Sequence, residues 1–305
     1  MNPVTNSTLG FQSRSLFQMG SLREQAETLQ ARIATGERLE RSSDDPVGAS
    51  RLRALQRMQQ LGEVDAVNAS HASDALTLSA NSLDAVAADI IRARELAVWA
   101  SSDTIGDTAR KAFATEIEDL RLRILDSANT LDSSGNALFG GEGSGKAYEL
   151  NGSGAVAYIG TPQSGEIDLG QGQNVTRGLT GPQVFEFNDN GTPSDIFAHL
   201  AALSAALNGG SSDPAAAARA AMSGLDEALE SVTRAQTVVG SRVDWLDIVQ
   251  DRQVDQSFTR ARQIADTGGV DFASTIAELQ RLLTVLEASQ LGFTRLSNLS
   301  LFNQI

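Results

Sequence analysis

Cysteine is absent from this chain of 305 residues. Disulfides, thiolate metal sites and a cysteine nucleophile are therefore excluded. An oxidising or extracellular setting stays open, because a chain without thiols is indifferent to redox state. Aromatic residues are scarce at 5%, with two Trp and two Tyr. That composition suits long packed helices better than a deep pocket lined by large side chains. Basic residues are outnumbered. The formal net charge of −14 and a pI near 4.6 repel a nucleic-acid duplex and disfavour attraction to an anionic membrane surface. The first twenty residues lack the apolar core of a cleavable signal peptide, and no later stretch approaches the roughly 18 apolar residues of a spanning helix. If the protein is exported, it leaves by a route that does not read a Sec-type signal.

What is present is helical periodicity at both ends. Leu16, Met19, Leu22, Ala26, Leu29 and Ile33 alternate spacings of three and four, the pattern of a coiled-coil seam. Phe272, Ile276, Leu279, Leu283, Leu286, Gln290 and Phe293 follow the same alternation, and Leu282 and Leu296 widen the stripe. Two seams at opposite ends of one chain are most simply satisfied by meeting each other, so the chain is expected to go out and come back. Ala26 and Gln290 are weak knobs. Ordering costs roughly 1.5 kcal/mol per residue, against about 1.5–3 kcal/mol for a buried Leu or Phe. The terminal pair is therefore expected to become rigid only against neighbouring subunits.

Between the ends, Ser43-Asp44-Asp45-Pro46 reads as a helix start, with Leu52, Leu55, Met58 and Leu61 on one stripe and helix continuing toward Trp99. The run Ser101 to Asp107 breaks it, and a second helix carries Phe113, Ile117, Leu120, Ile124 and Leu125. Asp213-Pro214 opens a long alanine-rich helix, in which Gly224 and Gly240 are tolerated interruptions. From Gly140 to Pro193, short period-two runs alternate with turn clusters such as Asn190-Gly191-Thr192-Pro193. Val156 and Tyr158, Ile167 and Leu169, and Phe185 and Phe187 mark three expected strands. The fold class is thus mainly α, a long antiparallel helical rod or coiled coil formed by the N- and C-terminal segments, with a small β-rich insert.

Three features invite a chemical reading. Gly140 to Lys146 satisfies the spacing GxxxxGK, yet Ala147 stands where a phosphate loop needs Ser or Thr, and turns follow where it needs a helix. A flexible junction is the expected role. His71 and His199 are far apart and lack neighbouring ligands. Asp44-Asp45 could do acid–base work, but beside Ser43 and Pro46 a capping role explains the pair without a substrate. No catalytic, cofactor-binding or metal-binding residue is therefore expected, and no cofactor.

Ser42-Ser43-Asp44-Asp45-Pro46-Val47-Gly48-Ala49 with Leu52 resembles the amino-terminal signature of the flagellin superfamily. Arg234 to Leu246 resembles that superfamily's conserved-end helix. The tail from Val270-Asp271-Phe272-Ala273 through Leu286-Glu287-Ala288-Ser289-Gln290 to Asn303 resembles the carboxyl terminus of the hook-associated protein 3 family, and Leu138-Phe139-Gly140-Gly141 resembles its helix-to-insert junction. The resemblance implies a non-enzymatic subunit of the bacterial flagellum, exported unfolded through the type III apparatus and escorted by a cytoplasmic chaperone bound to its C-terminal helical region. It implies a ring of copies at the hook–filament junction, between the first junction protein and flagellin. The expected division is a terminal inner domain (1–40 plus 265–305), a helical rod domain (41–139 plus 194–264) and an outward β insert (140–193). The rivals are a short flagellin, a secreted helical adhesin and, resting on Lys146, an enzyme.

Overall fold

The computed structural model describes residues 3–302 apart from Glu40 and Asn190, with side chains from Gly10 to Arg295. The expected turn residue Asn190, the side chain of Leu296 and the chain end at 303–305 lie outside the described residues. Seven α-helices and six short strands are described: α1 Pro3–Thr35, α2 Pro46–Ala100, α3 Asp107–Ala128, β1 Tyr148–Leu150, β2 Val156–Tyr158, β3 Glu166–Asp168, β4 Asn174–Thr176, α4 Gly181–Phe185, β5 Glu186–Asp189, β6 Thr192–Asp195, α5 Ile196–Ala205, α6 Pro214–Gly268 and α7 Phe272–Phe302. The chain divides into two compact units, one of residues 1–60 and 256–305, the other of residues 61–255.

In the first unit, α1 and α7 pack against each other and run antiparallel. The end of α1 meets the start of α7, where Val270 N donates to Gly36 O at 3.0 Å. At the other end, Phe11 to Leu22 of α1 share a groove with Val285 to Phe293 of α7. The two ends of the sequence therefore share one interface, as the paired seams predict.

In the second unit, α5 and α6 start behind aspartate caps. Pro214 opens α6 behind Asp213, whose Oδ1 accepts from Ala216 N at 2.9 Å. The expected break at Ser101 to Asp107 falls between α2 and α3, and Arg110 closes it by donating to the carbonyls of Ala100 and Ser102 at the end of α2. The core joins Leu83, Ile90 and Leu96 of α2 to Ile117 and Ile124 of α3, Leu200 of α5 and Leu225 and Val239 of α6. The β region belongs to this same core. It is three separate antiparallel hairpins, β1–β2, β3–β4 and β5–β6. Tyr148 packs at a tilt against Tyr158 and Phe197 and edge-on against Phe185, and Phe139 meets Phe185 edge-on at 5.5 Å. The β3–β4 turn is held by two side-chain amides, Asn68 to Asp168 O and Gln253 to Leu169 O, both at 3.0 Å.

One local expectation fails. Phe185 does not alternate with Phe187 on a strand. Thr180 and Gln183 form a capping box that starts a short helix, and that helix ends on Phe185 before β5 begins. Of the two α6 glycines, Gly224 has a structural cause, because the His199 ring occupies the space a Cβ would need. Gly240 faces open space.

Candidate assembly interface

The residues with most to say about function lie on α1 and α7. Along α1, Ser15, Met19, Leu22, Ala26 and Leu29, spaced four and three apart, are among the buried and half-buried positions. Along α7, Thr275, Leu279, Leu282, Leu286, Ser289 and Phe293 are likewise buried or half-buried, in the same alternation. Ala26 at 5% and Leu282 at 6% are the buried centre of the pair. The seam residues named from sequence fall in two groups. Met19, Leu22, Ala26, Leu29, Ile33, Leu279, Leu286 and Phe293 are buried or half-buried. Leu16, Phe272, Ile276, Leu283 and Gln290 are exposed.

These exposed positions are not isolated. Phe17 is 81% exposed, and Phe11, Val285 and Leu291 are also in solvent. Together they leave apolar surface along both helices, with a groove of about 580 Å³ between Phe11, Phe17, Met19, Val285 and Phe293. A helix that is apolar on more than one face buries both only when it has more than one neighbour. Monomeric proteins rarely leave patches of this kind in water, and where they do the patch marks an interaction site.

The elbow joining this pair to α2 and α6 is built from charges and a glycine turn. Gly36, at φ +74°, reverses the chain after α1. Glu37 then bridges Gly269, and Arg38 N donates to Gly268 O at 2.7 Å. The Arg38 guanidinium reaches both the last carbonyls of α6, through Thr267 O at 2.9 Å, and Asp45 at 3.3 Å. Asp45 Oδ1 accepts from Gly48 N at 2.9 Å and so caps α2. The Gly48 amide and the nearby Arg38 hold its carboxyl below the usual carboxylate range. A Cβ at Gly48 would strike that carboxylate. Asp44 accepts from Arg41 N at 3.1 Å. Both members of the acidic pair are therefore spent on local backbone. Sequence reading missed Arg38; its position between a helix-ending glycine and a capping aspartate is the signal that could have found it.

The features that invited a chemical reading sit as follows. The Gly140–Lys146 loop is tied to Thr161: Glu142 N donates to Thr161 Oγ1 at 2.7 Å, and Gly140 O accepts from Thr161 N at 3.0 Å. Strand β1, not a helix, follows it. His199 Nε2 lies 2.9 Å from Ala221 O and packs on Gly224. His71 is exposed beside a polar cleft with Asp132, Glu166 and Arg177. Among the described residues no three His, Asp or Glu side chains come together as metal ligands would. No described helix is long and apolar enough to cross a membrane.

Comparison with known proteins agrees with this geometry. Residues 7–144 match the bacterial flagellin N-terminal helical region. The chain is 27% identical to flagellar hook-associated protein 3 of Escherichia coli, covering 96% of this chain and 98% of that one. It is 26% identical to flagellar hook-associated protein 3 of Salmonella typhimurium, covering 93% and 94%. Among solved structures, a flagellar hook-associated protein from Vibrio parahaemolyticus superposes with a TM-score of 0.67 at 22% identity, over 74% of this chain and all of that one. Hook-associated protein 3 of Legionella pneumophila gives 0.64 at 18% identity, over 70% and 98%. At these identities the structural likeness speaks for the fold.

Proposed function

We propose that this chain, a homologue of flagellar hook-associated protein 3 along nearly its whole length, is a structural subunit of the bacterial flagellum that joins the hook to the filament. The observation that carries this reading is the terminal helix pair. One chain buries Ala26 and Leu282 but leaves Leu16, Phe17, Leu283 and Leu291 in water. Its work is mechanical. The α1–α7 pair orders against neighbouring pairs, and apolar burial at about 25 cal/mol per Å² ties the subunits together.

Several finer points belong to the same proposal. The copies form a ring between the first hook-associated protein and flagellin. The protein acts outside the cell after export without a cleaved signal peptide, and a cytoplasmic chaperone covers its C-terminal helix before export. The seam residues act as core and lateral contacts. Residues 1–40 with 265–305 form the inner part, 41–139 with 194–264 the helical body, and 140–193 the outward-facing insert. No step of this work needs a catalytic group.

Seeded growth tests the proposal against a filament subunit. Purified protein added to hook fragments that carry the first junction protein is expected to add one short layer and stop. Flagellin is then expected to elongate from that layer. Long filaments grown from this protein alone would assign it to the filament instead.

A further inference from the structure

Charge is distributed unevenly along the chain. Within residues 61–255, acidic side chains outnumber basic ones by more than two to one, whereas the flanking residues carry slightly more basic than acidic groups. In 61–255 the arginines are also matched. Among the described residues all except Arg242 and Arg252 form an ion pair, and Arg242 donates to Gly178 O at 2.9 Å.

The opposite holds over residues 50–60 of α2 and 256–262 of α6. These stretches contain Arg51, Arg53, Arg57, Arg260 and Arg262 and no carboxylate. Among the described residues none of the five forms an ion pair; the pairs of this unit are those of Arg23, Arg38 and Arg281. The stretches lie side by side, since Gln59 donates to Ser257 Oγ at 3.1 Å and Arg260 Nε to Gln59 Oε1 at 3.3 Å. Leu55 is buried and Leu52 half-buried, which turns Arg53 and Arg57 to the exposed face of α2. Arg262 is exposed on α6, its guanidinium 5.2 Å from the ring of Phe258, which is 65% exposed. The five arginines, four of them exposed, form a belt across these neighbouring stretches of α2 and α6. Like charges one turn apart, as at Arg53 and Arg57, weaken an isolated helix, and the partners of Arg53, Arg260 and Arg262 within the chain are neutral: Ser42, Gln59 and the Phe258 ring.

We propose that this arginine belt docks on the acidic surface of residues 61–255 of a second copy. Charge complementarity argues for that occupant: the chain carries both signs, segregated, and the acidic side is in excess. Guanidinium groups grip carboxylates through paired N–H donors. Copies stacked with like regions level repel, whereas a staggered neighbour brings belt to acidic surface, so charge fixes the register of assembly. Phe258 and Met58 add apolar contact beside the cations. This inference rests on the reading of the chain as an assembly subunit.

Photo-cross-linking on intact flagella tests it, with a cross-linking residue at exposed Ala54 or Ala261 of the full-length chain. The expected products join these positions to peptides of 61–255 from a second copy, told from the same chain by isotope-mixed labelling. The double substitution Arg53→Glu with Arg57→Glu is expected to cut their yield about tenfold, while Arg53→Lys with Arg57→Lys keeps most of it. Products confined to one chain, to the terminal helices of a neighbour or to flagellin would overturn the proposal. So would sedimentation of the purified chain with phosphatidylserine vesicles that the charge reversal abolishes, which would reassign the belt to a membrane. Tagged protein absent from the hook–filament boundary would instead count against the junction reading, whatever the cross-links show.

Discussion

At the scale of single residues, Tyr148 buries its hydroxyl against Gly181 without a hydrogen-bond partner among the described residues, and burial pushes the phenol pKa well up. An unsatisfied buried hydroxyl is a net cost. Tyr148→Phe is expected to raise stability by about 1 kcal/mol, read as a higher urea midpoint with unchanged slope; a lower midpoint would show that the hydroxyl has a partner. Asp132 behaves the other way. Burial alone would raise its carboxyl, but the amides of Asn136 and Ser134 and the Arg177 guanidinium together hold it below the ordinary value. Its contribution is therefore complete above the unfolded value of about 3.9. It is lost as pH falls through the lower folded value. Urea midpoints followed from pH 6 down to pH 2 should drop less steeply for Asp132→Asn than for the parent. Gly224→Ala drives a methyl into the His199 ring and is expected to cost about 1–3 kcal/mol, whereas Gly240→Ala, in open space, should cost nothing. Neither glycine differs from the other in sequence; only the packing of α5 on α6 separates them.

Among the helices and strands, those with strong caps were legible from sequence. Pro46 and Pro214 start α2 and α6, and the polar run at 101–107 separates α2 from α3. The exposed and buried halves of the terminal stripe were harder to separate. Where Leu282 and Leu283 are adjacent, a spacing of three or four fits either, and only the partner helix decides which one faces inward. The arginine belt went unread because it is made by two stretches about 200 residues apart that meet through Gln59, Ser257 and Arg260. The short helix α4 was missed because its capping box lies in a run that also alternates like a strand. The split of the stripe makes a prediction about α7. Leu282→Asp places a carboxylate in the buried centre of the α1–α7 pair and should speed amide exchange along both helices of the monomer. Leu283→Asp should leave monomer exchange unchanged, permit secretion and yet block assembly. Equal exchange effects from the two variants would contradict the burial difference between 6% and 43%. In the wild-type monomer the pair should exchange faster near Leu22 and Leu283 than the core of residues 61–255 does, because so much of its apolar surface still faces water.

For the whole molecule, charge and exposed apolar surface are arranged as the proposed assembly requires. A net charge of −14 holds free copies apart, while the apolar terminal stripe and the arginine belt offer contacts that a single chain cannot complete. The family resemblance of the two ends carried the functional reading from sequence, and the pairing of α1 with α7 gives it a physical basis. The most direct measurement is imaging of the tagged, full-length protein on intact flagellated cells. A junction subunit gives one focus where each hook meets its filament, and its deletion leaves hooks without filaments and flagellin free in the medium. Label running along the filament, or normal filaments on cells that lack the protein, would contradict a role in joining the two.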